Sequence, residues 1–277
     1  MPESTETIEI LLSERPLRVA AGTTLHGLRA AHKPGADVLV YNGAVAPADV
    51  TLQPGDAVVL IQRGEAPSAD ELEALMAARH TPGVHAVLKR SCVGIAGAGG
   101  LGSAVAVALA RIGVGRLIVA DFDVIEPSNL NRQQYFVDQI GLPKVHALRD
   151  NLARINPYVT VDAQLLRLTP ENVPHVFADV QVLIEAFDAA DQKAMLVESF
   201  GAAFPERPMV VASGLAGHAP SNSVVTRQFG PRLFVVGDLN TGAQPGTGLM
   251  APRVGIAAHH QANAALRLLL GESPATR

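Results

Sequence analysis

The chain has 277 residues, 48% of them apolar and 17% charged, with a formal net charge of −4. That length and apolar content supply one large core, or a large and a small one. The charge balance, with no basic run and no aromatic stacking series, speaks against nucleic acid as a partner. A single cysteine, Cys92, excludes an intramolecular disulfide framework and a zinc site built on paired cysteines.

In chain order, Met1 to Thr7 is polar and acidic and lacks the apolar core of a secretory signal. The most apolar long run, Ser103 to Ala120, carries Arg111 and Arg116 and is broken by Gly113 and Gly115, so no membrane span is expected. A cytoplasmic location follows as the expectation. Residues 8–65 read as a small separate unit. Ile8–Leu12 and Leu17–Val19 are short strands about a polar turn, Ser13 to Pro16. Thr23 or Thr24 caps a helix carrying Leu25 and Leu28. Val38–Tyr41 is a third strand ended by Asn42-Gly43, and Ala57–Ile61 is a last one. Strand, strand, helix, strand, strand suits a ubiquitin-like β-grasp domain over residues 1–65, and a second domain occupies 66–277.

The second domain opens with a capping box, Ser68 to Glu71, and a helix to about His80 with Leu72, Leu75, Met76 and Arg79 on one face. An arginine on an apolar stripe has two readings: a cation at the helix C-terminus, or a reach into a partner subunit. A short buried strand, Val93–Ala96, then leads into Gly97-Ala98-Gly99-Gly100-Leu101-Gly102, which fits G-x-G-x-x-G. Leu101, Val105, Leu109 and Ile112 follow at helical spacing, and a second strand, Leu117–Ala120, ends at Asp121. This is the strand, turn, helix, strand, acid order of a nucleotide-binding α/β fold. Glycine lets backbone N–H groups approach phosphate oxygens at a helix start, and Asp121 is placed to accept ribose hydroxyls. The pattern alone does not choose between NAD and ATP. Cys92, just before the first strand, reads as a small core residue rather than a nucleophile.

Asp123 to Gln134 is a polar loop. Gly141-Leu142-Pro143-Lys144 opens a helix with Val145, Leu148, Leu152 and Ile155 buried and proline at its first position. Lys144 there opposes the helix dipole; it is either a solvated side chain or one that neutralises an anion. Strands follow at Val159–Leu166, Val180–Ala186 and Pro208–Ala212, and Asp188 stands just past the second of them, where ligands bind in open α/β sheets. A helix runs to about Ala203, Ser223–Gln228 and Leu233–Val236 form a hairpin, and Arg253–Leu270 closes the chain with Ile256, Leu266, Leu269 and Leu270 as its apolar residues. The expected architecture is a Rossmann-like, mostly parallel sheet with helices on both faces, preceded by the β-grasp domain. His259 and His260 are adjacent and share no helical face, so a metal site there is not expected.

The run VYNGAVAPADVTLQPGDAVVLI resembles the small sulfur carriers ThiS and MoaD, but where those end in Gly-Gly this chain reads Gln62-Arg63-Gly64-Glu65 and continues. Lacking a free carboxylate, this copy is a docking, vestigial or autoregulatory module and not the acyl substrate. The run DFDVIEPSNLNR, from Asp121 to Arg132, together with the glycine turn upstream and Gly141 to Lys144 downstream, resembles the ThiF, MoeB and ubiquitin-activating superfamily over about residues 71–271. The segments Met76–Gly83 and Gly248–Val254 look like the flanks of its zinc-free, ThiF-like adenylyltransferases. The resemblance implies ATP and Mg2+ as cofactors, a ThiS-like or MoaD-like carrier as partner, and a homodimer. It implies Gly97, Gly99, Gly100 and Gly102 at the nucleotide turn, Asp121 on the ribose, and Asn129 and Arg132 on the phosphates. Lys144 falls at the α-phosphate, Asp188 on magnesium, and Arg79 is supplied across the dimer. Asp123 is a nucleotide-site residue or a loop-structuring one, and Asn131 orders the loop. The zinc cysteine pairs and the transfer cysteine of other members are missing, which implies adenylation without a covalent sulfur relay. Adenylation of a small molecule or a modified tRNA base, and a non-catalytic adaptor, remain the other readings; a dehydrogenase leaves Asn129 to Gln133 unexplained.

Overall fold

A computed structural model describes residues 6–275, so residues 1–5 of the acidic N-terminal segment lie outside the described part. By contacts the chain divides into two compact units, the first ending at His85 and the second beginning at Ala86.

In the first unit β1 (Thr7–Leu12) and β2 (Arg15–Ala20) pair antiparallel, Ile8 against Val19 and Ile10 against Leu17. The turn is tighter than its polar run suggests: Ser13 and Glu14 alone make it, at φ 48° and 64°, the left-handed geometry a two-residue hairpin requires. Pro16 therefore belongs to β2, opposite Leu11, and is tolerated there because β2 is an edge strand. Helix α1 (Leu25–His32) starts at Thr24, whose hydroxyl oxygen accepts the Gly27 N–H at 3.1 Å, and buries Leu25 and Leu28. β3 (Val38–Tyr41) turns at Asn42-Gly43 into β4 (Ala44–Val45), a two-residue strand too short to leave a pattern in the sequence. β5 (Ala57–Ile61) completes a five-stranded sheet of order β2-β1-β5-β3-β4, with α1 packed on it over Ile10, Leu52, Val58 and Leu60. This is a β-grasp domain. α2 (Ala69–Arg79) follows, its Ser68 cap accepting the Glu71 N–H at 3.2 Å. Its stripe of Leu72, Leu75 and Met76 is half-buried and not a core face.

α3 (Val84–Lys89), too short for a periodic signal, precedes the second sheet. That sheet is built from β6 (Cys92–Ala96), β7 (Arg116–Asp121), β8 (Thr160–Leu165), β9 (Val182–Glu185), β10 (Met209–Ala212), β11 (Val225–Gln228) and β12 (Leu233–Gly237). Its order is β11-β12-β10-β9-β6-β7-β8, parallel throughout except for β11 on the edge. The helices are α4 (Gly100–Arg111), α5 (Lys144–Ile155), α6 (Val173–Val176), α7 (Ala190–Ala203) and α8 (Ala251–Leu269). α4, α5 and α8 pack against strands of one face. On the other, Phe177, Leu196 and Phe200 pack on Leu183, Met209 and Val211. Strands buried on both faces read as continuous apolar runs, which is why this sheet was visible in sequence. The chain leaves β6 for β7 on one side and later returns to β9 on the other, so the switch point lies between β6 and β9.

α8 departs from expectation. Its buried face is Arg253, Val254, Gln261 and a row of alanines, while Ile256, Leu266, Leu269 and Leu270 are half-exposed. α8 lies along α4, and small side chains at that contact let the two helix axes come close. Cys92 is buried as expected, and burial pushes its thiol pKa up.

Candidate active site

The carboxyl ends of β6, β7, β9 and β10 open into a cavity of about 430 Å³. Its floor is the glycine turn between β6 and α4. Gly97 sits at φ 101°, and a Cβ there would meet the Ala186 carbonyl oxygen at 2.8 Å; a Cβ on Gly102 would meet the Gly97 oxygen at 1.8 Å. Both glycines are thus fixed by backbone packing. Gly102 does not line the cavity; Gly97, Gly99 and Gly100 do. The peptide between them is held at both ends: the Ala98 N–H donates to Asp121 Oδ2 at 2.6 Å, and the Ala98 oxygen accepts the Tyr135 hydroxyl at 2.7 Å. Burial, with a smaller contribution from the Asp121 charge, drives the Tyr135 pKa far up, so the ring stays a neutral donor.

From Asp121 a chain of contacts runs to the start of α5. Asp121 Oδ1 accepts the Asp123 N–H at 2.8 Å, and Asp123 Oδ2 accepts Lys144 Nζ at 2.8 Å. The Asp123 carbonyl also accepts the Lys144 N–H at 2.9 Å. Lys144 is the first residue of α5, with Pro143 just outside it and not within the first turn. The Lys144 side chain is only 8% exposed, which removes the solvated reading; its anion in this structure is Asp123.

Neither asparagine of the polar loop lines the cavity, and each holds a different part of the loop in place. Asn129 is buried, outside the cavity lining, and its Oδ1 accepts the Glu126 N–H at 3.1 Å at the start of a short 3-10 turn, Pro127–Asn131. It orders the loop. Asn131 takes Arg132 Nη1 on its Oδ1 at 2.8 Å and donates from Nδ2 to the Leu249 oxygen at 3.0 Å. The Arg132 stem lies over Gly100, where an added Cβ would meet its Cγ at 3.2 Å. Arg132 therefore projects over the start of α4 with no acidic partner among the described residues. Gln133, buried beside it, also lines the cavity with an unpartnered Oε1.

Across the cavity, Asp188 follows β9, exposed and without a hydrogen-bonded or ionic partner among the described residues. Three paired features here are not singled out as site residues by the sequence, although Arg253 lies in the Gly248–Val254 flank. Glu185, fully buried, is bonded to Lys193. Arg167 stacks on Phe122 at 4.1 Å from the ring centroid, both at the cavity wall. Arg253, 3% exposed, donates to Asp238 Oδ2 at 2.6 Å and to the carbonyls of Ala219 and Pro220, so the loop bearing Thr241 to Ala243 at the cavity rim is tied to α8. Burial works to raise the Asp238 carboxyl. Hydrogen bonds from the Thr241 hydroxyl, the Thr241 and Asn240 N–H groups and Arg253 outweigh it and hold the pKa at about 2.

Arg79 belongs to the first unit, where its Nη2 is 3.2 Å from Glu14 Oε1 and its side chain is 79% exposed. Among the described residues no helix is long and apolar enough to cross a membrane, and no three His, Cys, Asp or Glu side chains are grouped to hold a metal ion.

The ThiF family profile matches residues 74–277. The chain belongs to the ThiF family. It is an enzyme of the adenylyltransferase class. The ThiS-like ubiquitin profile matches residues 8–64 of this ThiF-family chain. A molybdopterin-synthase adenylyltransferase of Salmonella typhimurium is 31% identical over 192 residues, 66% of this chain and 74% of that protein. A sulfur carrier protein adenylyltransferase of Thermus thermophilus is 40% identical over 102 residues, 36% of this chain and 38% of that one. Among solved structures, the tRNA N6-threonylcarbamoyladenosine dehydratase TcdA of E. coli, crystallised with ATP, shares the fold with a TM-score of 0.67 at 20% identity, covering 75% of this chain and 98% of that chain.

Proposed function

We propose that this ThiF-family chain activates the C-terminal carboxylate of a ThiS-like sulfur carrier with ATP, in the cytoplasm, for thiazole formation in thiamine biosynthesis. The observation that carries the reading is the convergence of the glycine turn, Asp121, Arg132, Lys144 and Asp188 on one cavity at the switch point of the sheet. In the reaction a carboxylate oxygen attacks the α-phosphorus of ATP, the bond to the bridging oxygen breaks, and pyrophosphate leaves with the electron pair. The carboxylate is already ionised at neutral pH, so no general base is needed. The barrier lies in bringing two anions together and stabilising the charge that develops, which calls for fixed cations in a walled site.

Position supports these roles. The N–H groups at the start of α4 cradle phosphate, Asp121 takes the ribose on lone pairs left free by its two N–H donors, and Arg132 meets the phosphates with its charge uncommitted. Lys144 turns from Asp123 toward the α-phosphate. The apolar wall of Phe122, Leu166 and Leu168 takes the base. A magnesium ion fits here: one unpartnered carboxylate, Asp188, plus phosphate oxygens is the donor set this ion uses. When bound it neutralises charge on the departing pyrophosphate. A second copy of the chain supplies Arg79, whose exposure leaves it available.

The test is ATP–pyrophosphate exchange by the full chain with a free ThiS-type carrier ending in Gly-Gly. Exchange that needs the carrier, and is lost when the two glycines are removed, is the expected result; tight ATP binding without exchange overturns it. The molybdopterin-synthase relatives favour one second reading, a MoaD-type carrier. Running both carriers side by side decides between the two.

A further inference from the structure

The geometry points to Glu185 and Lys193 as a positioning pair that aims Asp188 into the cavity. This rests on the reading of Asp188 as the carboxylate that serves magnesium. Glu185 ends β9 with no solvent exposure, a place where a carboxylate is costly unless fully paired. Its pairing is complete. Oε1 accepts the Phe187 N–H at 2.6 Å and Lys193 Nζ at 2.8 Å, and Oε2 accepts Lys193 Nζ at 3.0 Å and the Ala212 N–H at 3.1 Å. Lys193 spends its remaining donor on the Ala212 oxygen at 3.0 Å. The Glu185 carbonyl takes Gln261 Nε2 from α8 at 2.8 Å.

The consequence is local. Asp188 sits between the two anchored points, one residue after Phe187 and just ahead of the α7 turn that carries Lys193. The same carboxylate holds Ala212, the residue before Ser213 and Gly214, which line the cavity at the end of the neighbouring strand β10. Lys193 has no donor left for a phosphate, and its charge cancels that of Glu185, so Asp188 is the net charge this side presents. Lys193 lines the cavity, but its donors are spent on Glu185 and Ala212, so the pair acts on the metal through Asp188 and not by bonding the nucleotide. A partner bonded directly to a ligand alters metal affinity about 10–100-fold when removed; this pair holds the Phe187 N–H and not Asp188 itself, so the lower end of that range, about tenfold, is expected.

The experiment is calorimetric titration of the full chain with ATP, once in EDTA and once across a Mg2+ series, on wild type, Lys193→Met, Lys193→Arg and Asp188→Asn, with thermal melts alongside. In Lys193→Met the Mg2+ concentration for half-maximal tightening of ATP binding should rise about tenfold, the lower end of the range for outer partners, while ATP affinity in EDTA stays within about twofold. Lys193→Arg, which keeps the pair, should remain near wild type. If Lys193→Met does not fold, Lys193→Gln, which can still donate to the Ala212 oxygen, carries the same expectation. An unchanged Mg2+ midpoint in a folded neutral variant, or an equal loss of ATP affinity in EDTA, overturns the proposal while leaving the reaction intact. A Mg2+ midpoint unmoved in Asp188→Asn removes the metal reading, and the pair's role with it.

Discussion

Replacing Arg132 with alanine separates function from folding more cleanly than any other change in the cavity. The guanidinium has no acid to neutralise, so its loss strands no buried charge; what disappears structurally is a stem over Gly100 and one hydrogen bond to Asn131. Such a half-buried contact is worth about 0.5–1.5 kcal/mol. The catalytic term is larger, because a fixed donor aimed at developing charge in a walled site contributes about 3–4 kcal/mol, or roughly 10²–10³ in rate. Its rigidity is visible in the relay from Leu249 through Asn131 to Arg132. Carrier-dependent pyrophosphate exchange at saturating ATP should therefore fall by about two to three orders of magnitude, while the urea midpoint moves little. Arg132→Lys should recover only a small part, since an ammonium lacks the planar fork that donates to Asn131 Oδ1 while spanning two phosphate oxygens. Exchange within about threefold of wild type in a folded Arg132→Ala protein refutes the reasoning, since so small a change is under about 1 kcal/mol of barrier.

The remaining expectations test the scaffold. Gly102→Ala places a methyl 1.8 Å from a backbone oxygen that cannot swing aside, so it should cost at least the upper end of the usual overpacking range, about 3 kcal/mol, by urea denaturation. Asn129→Ala should cost about 1 kcal/mol of stability, as for the loss of a cap, with ATP affinity little changed, whereas Asn131→Ala, which loses two exposed hydrogen bonds, should cost no more than that and lower exchange by freeing Arg132. Asp238 falls from 3.8 in its ordinary state to about 2 when folded, so its contribution is complete above pH ~4 and drains away as pH falls through about 2; over that window it amounts to roughly 2–3 kcal/mol. Asp238→Asn should flatten this part of the acid-unfolding curve, and a curve unchanged in slope between those limits counts against the assignment.

What was legible in the sequence is what local physics dictates. The turn from β6 into α4 needs glycine at Gly97 and Gly102 for steric reasons, so the motif and its geometry are one statement. Buried parallel strands and the Thr24 and Ser68 caps were legible on the same ground. What the sequence does not show lies where the deciding partner is remote. Asn129 and Asn131 lie in the same motif, and only the 3-10 turn that rotates one inward and the other toward Leu249 tells them apart. Glu185 and Lys193 sit on different elements and meet because β9 ends beside the first turn of α7. On α8 the leucines draw attention, yet close approach to α4 favours alanine, and the buried Arg253 and Gln261 are explained by acceptors far away in sequence.

Lys144 is a buried cation held by a local acid. A cation at the first residue of a helix opposes the dipole, and burial makes that worse. Asp123 relieves both, and Asp121 in turn fixes Asp123 by its backbone N–H, so two acids two residues apart serve the glycine turn and the lysine separately. Asp123 is half-exposed, however, so its hold on Lys144 is the weaker end of a buried pair: about 1–2 kcal/mol, discounted from the 3–5 of a fully buried one. Asp123→Ala should lower stability by that amount in the absence of nucleotide. A triphosphate that reaches Lys144 then replaces the missing anion, so ATP should raise the melting temperature of Asp123→Ala by more than it raises that of wild type, as ligand linkage requires. An equal or smaller shift in the variant means that Lys144 stays on its own loop and never meets the nucleotide.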